Sequence, residues 1–426
     1  MALLIGISVV NYIDRQVINI VAEPIKRELH LADWQIGVLT GLAFGVLYTF
    51  LGLPIARLAE RSHRPRIIAT AAALWSVFTV ASGLVRNYGQ LALARVGVGL
   101  GEAGCVPPSH SLIMDYAPRE KRNSAMALFG MSPQLGVVIG LASGGLVADA
   151  YGWRAAFLLA GGPGLILAVI AAFTLPEPRL GLRDPGAPTT ATAPSIFALF
   201  RLVRPKRTYW LLGAGITLNV FIALASGPFI ASFFLRNHPQ ELAKMAGAAG
   251  TLLGVRLGSV GLLGLILGGV LGIDGALGSW CGGLIADRMG LADPRRHLQV
   301  PAVAILLWAP VFLGVLTAPS LGLAFMLLGV QGFLAAVYYG PTFAAWLSLT
   351  PPNMRATNSA LILFSSNLIG LGLGPAFIGL LSDHYAKTMG SAEGLRWALT
   401  SLAGASVVDA LLFWLASKSV VQDREG

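Results

Sequence analysis

Runs of about 20 apolar residues recur along the whole chain, and no other feature restricts its fold as severely. A stretch of that length crosses the hydrocarbon core of a bilayer as an α-helix, which pairs every backbone N–H and C=O internally. Twelve such spans can be read, at about 1–25, 34–56, 67–86, 89–114, 123–148, 154–175, 208–232, 258–285, 299–317, 321–349, 356–382 and 396–417. Only 12% of the residues are charged, half of what soluble domains carry. The expected fold is an all-α, multi-pass integral membrane protein of twelve transmembrane helices. The first span has no basic flank and no small-residue cleavage site, so it reads as a membrane helix and not as a signal peptide. On that reading any N-terminal tail is either missing from the sequence or very short.

Orientation follows from the loops. With a cytoplasmic N-terminus, the cytoplasmic loops and tail hold 19 of the 30 Lys and Arg and the outer loops 9. The positive-inside rule therefore predicts that both termini are cytoplasmic. The net charge of +10 needs no nucleic-acid partner, because topology and attraction to anionic lipid account for it. Cys105 and Cys281 both fall within spans and lack a CxxC neighbour, so neither a zinc site nor a disulfide framework is suggested. No cofactor and no metal are expected.

The segment EPRLGLRDPGAPTTATAPS, residues 177–195, is the one long Pro-, Thr- and Ala-rich polar stretch, and it separates six spans from six. This predicts a six-helix bundle over 1–176, a cytoplasmic linker over 177–207 and a second six-helix bundle over 208–426. The halves repeat. ARLAERSHR (56–64) answers GLIADRMGL (283–291), PREKRNSA (118–125) answers PNMRATNSA (352–360), and GLVADAYGWR (145–154) answers GLLSDHYAK (379–387). Three matches in the same order and the same loops point to parallel repeats, with a site at their interface near the midplane.

Ionisable residues inside spans are functional candidates by default, since one charge at a helix centre costs roughly 2.5–3.5 kcal/mol on insertion scales. Span 1 carries Asp14 and Arg15; span 4 carries Arg95 and Glu102, seven residues apart and so nearly on one face. All four must be paired or wet. The expected arrangement sets Arg15 near Glu102, with Asp14 turned about 100° away toward Arg95 or cavity water. A carboxylate at this depth can change protonation state, which makes Glu102 the main expected proton carrier and Asp14 the second. The alternative is that these charges only brace span 1 against span 4. Asp274 in span 8 is a further intramembrane acid, for function or for packing, and Asp409 in span 12 is expected to pack against its own bundle. Asn219, Gln331, Tyr338, Tyr339 and Ser366 in spans 7, 10 and 11 are either headgroup contacts or helix-packing hydrogen bonds.

Two apparent motifs carry no chemistry. Gly99, Gly101 and Gly104 satisfy GxGxxG but lie inside a membrane helix without a preceding strand, so close helix packing is the better reading. SHS at 109–111 is polar packing at the inner end of span 4. Walker A, HExxH and GxSxG patterns are absent from the sequence. A membrane enzyme would need a metal cluster or an activated nucleophile, and a channel would be expected to carry charged rings or filter loops.

GLIADRMG and the degenerate copy ARLAERSHRPR resemble the loop signature of the major facilitator superfamily, and ARVGVGLGEAG (94–104) resembles its second signature. Together NYIDRQ in span 1 and the GEAG ending are similar to the Spinster family of lysolipid and sphingosine-phosphate transporters. The resemblance implies the major facilitator fold, rocker-switch transport with spans 1, 4, 7 and 10 around a central cavity, proton coupling, and a bacterial inner membrane. It further implies a cytoplasmic gate of Glu60, Arg61, Asp287 and Arg288, joined by Arg122 and Arg355. Arg15 would then alternate between a carboxylate and the phosphate of the substrate, a task suited to a planar guanidinium, with Arg95 beside it. The function expected is proton-coupled transport of a single-tailed lipid, the partners being that lipid, protons and membrane lipids. The alternative is a proton-coupled exporter of drugs or small organic anions. The two-bundle architecture is self-contained as a monomer.

Overall fold

The computed structural model describes residues 1–118, 121–178, 196–290, 293, 295–351 and 354–425. Helices account for nearly all of them, and no strand occurs among the described residues. The first half runs through α1 (Ala2–Ile20), α2 (Ala22–Glu28), α3 (Asp33–Thr40), α4 (Leu42–Arg61), α5 (Arg64–Ser82), α6 (Tyr88–Glu102), α7 (Val106–Tyr116), α8 (Arg122–Gly130), α9 (Ser132–Tyr151) and α10 (Trp153–Thr174). The second half runs through α11 (Ile196–Val203), α12 (Arg207–Asn237), α13 (Pro239–Leu253), α14 (Ser259–Gly290), α15 (Arg296–Thr317), α16 (Leu321–Val337), α17 (Tyr339–Ser348), α18 (Arg355–Ser366), α19 (Gly374–Met389) and α20 (Ser391–Glu425).

Among the described residues, eleven helical stretches are long and apolar enough to cross a bilayer. The predicted fourth span is divided: α6 ends at Glu102, residues 103–105 turn, and α7 resumes at Val106. Pro107 and Pro108 explain the restart, because a first helical turn needs no N–H donors from them. Large apolar side chains such as Leu93, Phe173 and Met326 stand exposed on helix faces, where lipid and not water is the compatible solvent. Boundaries also shift elsewhere, and three cases illustrate it. The first span stops at Ile20 and is followed by the short α2, the seventh continues to Asn237 instead of ending near 232, and the eleventh contains a π-helical stretch at Asn367–Leu373.

Contacts group the chain into two compact units. Unit 1 comprises Met1–Ala187, Gly227–Gly272 and Pro375–Leu395, so it takes in parts of α12, α14 and α19 along with the whole first half. Glycine spacing builds it. Gly136, Gly140 and Gly144 recur every four residues on one face of α9, and a Cβ there would press on Tyr12, Ile13 and Val17 of α1. Gly264, Gly268 and Gly272 do the same for α14 against Leu141 and Val138 of α9. In a bilayer the hydrophobic effect does not drive helices together, and small residues allow the close backbone approach that dispersion needs.

Unit 2 comprises Pro188–Ser226, Ile273–Gly374 and Arg396–Gly426. Its core joins Tyr209, Leu212 and Ile216 of α12 with Leu298, Ala302 and Ile305 of α15, Trp346 of α17, Ile362 of α18 and Phe413 of α20. Leu199 and Val203 fasten α11 onto the same cluster.

Candidate functional site

Inside unit 1, α1 and α6 bring the four intramembrane charges into two pairs. Nε of Arg15 donates to Oε2 of Glu102 at 2.5 Å, and Nη1 of Arg95 donates to Oδ1 of Asp14 at 3.3 Å. The hydroxyl of Thr79 on α5 donates to the other Asp14 oxygen. Consecutive residues of α1 point about 100° apart, which is why Asp14 and Arg15 reach different partners on the same neighbouring helix. The arginines also lie on aromatic faces. The Arg15 guanidinium sits 4.5 Å from the ring centre of Tyr48, 5.0 Å from Phe44 and 5.2 Å from Tyr12, and Arg95 sits 5.3 Å from Phe44. Cation–π attraction grows when the cation is desolvated.

Exposure separates the members. The Arg15 side chain is 18% exposed, whereas those of Asp14, Arg95 and Glu102 are at most 2%. Nη2 of Arg15, Nε of Arg95 and Oε1 of Glu102 have no hydrogen-bond partner among the described residues. Arg15 is thus the member through which an anion can enter the cluster, and Glu102 holds an unused acceptor behind it. The glycines around Glu102 permit this geometry. A Cβ on Gly99 would strike the Phe44 carbonyl, and one on Gly101 would lie 2.5 Å from the Trp75 backbone nitrogen, so α4 and α5 come up against α6 only because both are glycine.

The remaining candidates fall elsewhere. Nδ2 of Asn219 donates to Oδ2 of Asp409 at 3.0 Å within unit 2, and Asp409 is fully buried. This gives Asn219 a partner inside the protein. Tyr338 belongs to the core of unit 2, its ring 6.1 Å from that of the exposed Tyr339. Ser366 is buried, Gln331 is half-buried, and Asp274 lies against Gly329 and Gly332 of α16 with Oδ2 unpartnered. Among the gate candidates, the side chains of Glu60 and Arg61 lie outside the described residues. Asp287, Arg288 and Arg355 are exposed, and Nε of Arg122 donates to the Ala117 carbonyl at 3.4 Å.

Two charged networks in unit 1 escaped the sequence reading. In the first, Arg64 is fully buried at the start of α5; it donates to Asp115 at 2.6 Å and Ser111 at 2.8 Å, and its Nε and backbone N–H bond Glu177 at 3.1 and 2.8 Å. In the second, Arg236 near the end of α12 forks onto Asp33 at 2.7 and 2.8 Å and onto Glu23 at 2.8 Å. Lys26 adds a 2.6 Å bond to Asp33, the Ser382 hydroxyl another at 2.6 Å, and Asp383 accepts from the backbone N–H groups of Asp33 and Trp34. Arg236 lies beyond the expected end of the seventh span at about 232; the continuation SFFLRN of the apolar run is the sequence signal that the helix extends to it.

The sequence profile of the Major Facilitator Superfamily matches residues 4–291. The chain is 30% identical over 421 residues to an MFS-type efflux pump of Mycolicibacterium smegmatis, covering 98% of this chain and 92% of that one. It is 26% identical to spinster homolog 3 of Danio rerio, covering 100% of this chain and 85% of the relative. The crystal structure of a bacterial homolog to the human lysosomal transporter Spinster, in an inward-facing and unoccupied conformation, aligns with a TM-score of 0.85 at 29% identity over 99% of this chain and 97% of that one.

Proposed function

Because this chain belongs to the major facilitator superfamily and is a multi-pass membrane transporter, we propose that it is a proton-coupled carrier of a single-tailed anionic lipid, working by alternating access. The observation that supports this reading most directly is the Arg15–Glu102 pair, with Arg15 partly exposed and one nitrogen unsatisfied. A phosphate arriving at Arg15 competes with Glu102 for the same guanidinium, because the planar fork suits either anion. When Arg15 turns to the phosphate, Glu102 loses its counter-charge in a desolvated site and takes up a proton. Release of the phosphate restores the ion pair and expels that proton. Asp14, held by Arg95 and Thr79, keeps the second arginine engaged while the first exchanges partners.

The cluster at Asp33, Glu23 and Arg236 serves this cycle as a fastening between helix ends of the two sequence halves. For α3 to part from α12 and α19, Asp33 must release Arg236 and Ser382, and Asp383 must release two backbone N–H groups. The single tail follows from the resemblance to the Spinster family. The M. smegmatis relative supports a second reading, a proton-coupled exporter of drugs or small organic anions.

Proteoliposome flux of a lysophospholipid and a sphingosine phosphate, with and without a pH gradient, tests the proposal on wild type and Glu102→Gln. The expected result is gradient-driven wild-type flux and loss of that drive in the variant with lipid binding retained. If neither lipid moves while soluble amphiphilic drugs do, the exporter reading replaces it.

A further inference from the structure

The eight residues of α11, IFALFRLV, present a buried face and an exposed one. Leu199 and Val203 are 1% exposed and lock the helix to the core of unit 2. Phe197 and Phe200 are 86% and 51% exposed, and Arg201, Arg204 and Arg207 are exposed beside them. Only residues 204–206 separate α11 from the spanning helix α12, so this mixture of aromatic rings and guanidinium groups sits at the level of the bilayer surface. Phe on the apolar side of a basic interfacial helix inserts at that level, and clustered juxtamembrane Arg and Lys attract anionic lipid.

An apolar groove of about 560 Å³ opens next to it in the same unit, lined by Trp210, Gly213, Thr217 and Phe221 of α12 and by Leu361 and Ile369 across from them. Its volume lies within the usual range for small-molecule sites. Trp210 joins the groove to α11: its ring meets Phe200 edge-on at 5.8 Å, and its Nε1 donates to the Arg204 carbonyl at 3.4 Å. Trp346, stacked on Tyr209 at 4.3 Å, makes the wall rigid. A cationic rim, exposed aromatics and a preformed apolar slot in series match one chemistry, an anionic headgroup bearing an acyl chain.

We propose that α11 and this groove form a binding site for an anionic membrane phospholipid, with its phosphate on Arg201, Arg204 and Arg207 and one acyl chain in the groove lined by α12. The site is separate in residues from the Arg15–Glu102 cluster, and its occupant is a resident lipid of the surrounding leaflet. Charge complementarity selects the class: three guanidinium groups in seven residues favour phosphatidylglycerol over phosphatidylcholine, whose choline offsets the phosphate. An acyl chain in the groove would add apolar burial that a bare headgroup lacks.

Native mass spectrometry of the full-length protein in detergent, titrated with phosphatidylglycerol, phosphatidylcholine and glycerol phosphate, tests this. Wild type is expected to retain phosphatidylglycerol at least tenfold more strongly than phosphatidylcholine. The triple variant Arg201→Gln, Arg204→Gln, Arg207→Gln is expected to lose that preference while keeping its lipid-free melting temperature. A triple Arg→Lys variant, which preserves charge, is expected to keep most of it and guards against a fold defect in the Gln variant. Equal retention of both lipids by wild type, an unchanged preference in the Gln variant, or displacement by glycerol phosphate at the same concentration as the lipid each overturns the proposal. Glu102→Gln is expected to leave lipid retention unchanged, which separates failure here from failure of the transport reading.

Discussion

At the scale of single residues, the consequential feature is that adjacent charges on α1 have separate partners. Asp14 and Arg95 are buried as one hydrogen-bonded pair beside the Arg15–Glu102 pair. Removing one partner of such a pair leaves an uncompensated charge and costs about 3–5 kcal/mol. Asp14→Ala should therefore lower the thermal stability of the detergent-solubilised protein by that order, and Asp14→Asn, which keeps an acceptor for Thr79, by less. Equal melting temperatures for both variants and wild type would mean that Arg95 is compensated by another group. The need for pairing was readable from the sequence, because four charges in apolar runs have few ways to avoid solvation costs. The aromatic cage was not: Phe44 and Tyr48 are ordinary span residues until α4 is set beside α1.

At the scale of elements, glycine decides which helices can approach. Gly101 has the Trp75 backbone 2.5 Å from where a Cβ would stand, while Gly162 on α10 has nothing within 4 Å. Gly101→Ala is expected to destabilise by about 1–3 kcal/mol through overpacking, read as a lower melting temperature with Glu102 chemistry disturbed. Gly162→Ala should be neutral or slightly stabilising, because alanine is the better helix former. A second element contact lies outside the spans, where Glu28 at the end of α2 accepts from Trp153 Nε1 at 2.6 Å and from Arg154. Burial, the largest single influence, favours its neutral form, yet the hydrogen bonds from Arg154 and Trp153 and the Arg154 charge outweigh it and hold the carboxyl below its usual range. A depressed carboxyl stabilises the fold above the ordinary glutamate range, and that contribution disappears as pH falls through the lowered value. The acid limb of the stability curve should accordingly be less steep in Glu28→Gln than in wild type, and identical limbs would refute this.

For the whole molecule, the ion network at Arg236 ties α2 and α3 to the end of α12 and the middle of α19. Its members run from Glu23 to Asp383 in sequence and meet in one buried cluster, where Glu23, Asp33 and Arg236 are each no more than 6% exposed in their side chains. Arg236→Gln leaves the buried carboxylates of Asp33 and Glu23 with Lys26 and Arg27 as their countercharges among the described residues. Hydrogen–deuterium exchange should then quicken at the amides of Asp33 and Trp34, whose acceptor Asp383 is held in the same cluster, and the pH dependence of transport should change. Unchanged exchange at both amides would show that the network is not what keeps these helix ends together.

The sequence by itself determined the solvent, the helical class, the repeat and the superfamily, because a bilayer imposes length and apolarity on every crossing segment and its loop motifs are local strings. It also determined that Asp14, Arg15, Arg95 and Glu102 needed partners, since helical spacing puts each pair on a known face. Only the tertiary structure decided that Asn219 pairs with Asp409 and that Arg64 and Arg236 are buried hubs. Each of these rests on which helix stands beside which, and contacts between distant segments leave no periodic trace in a single chain.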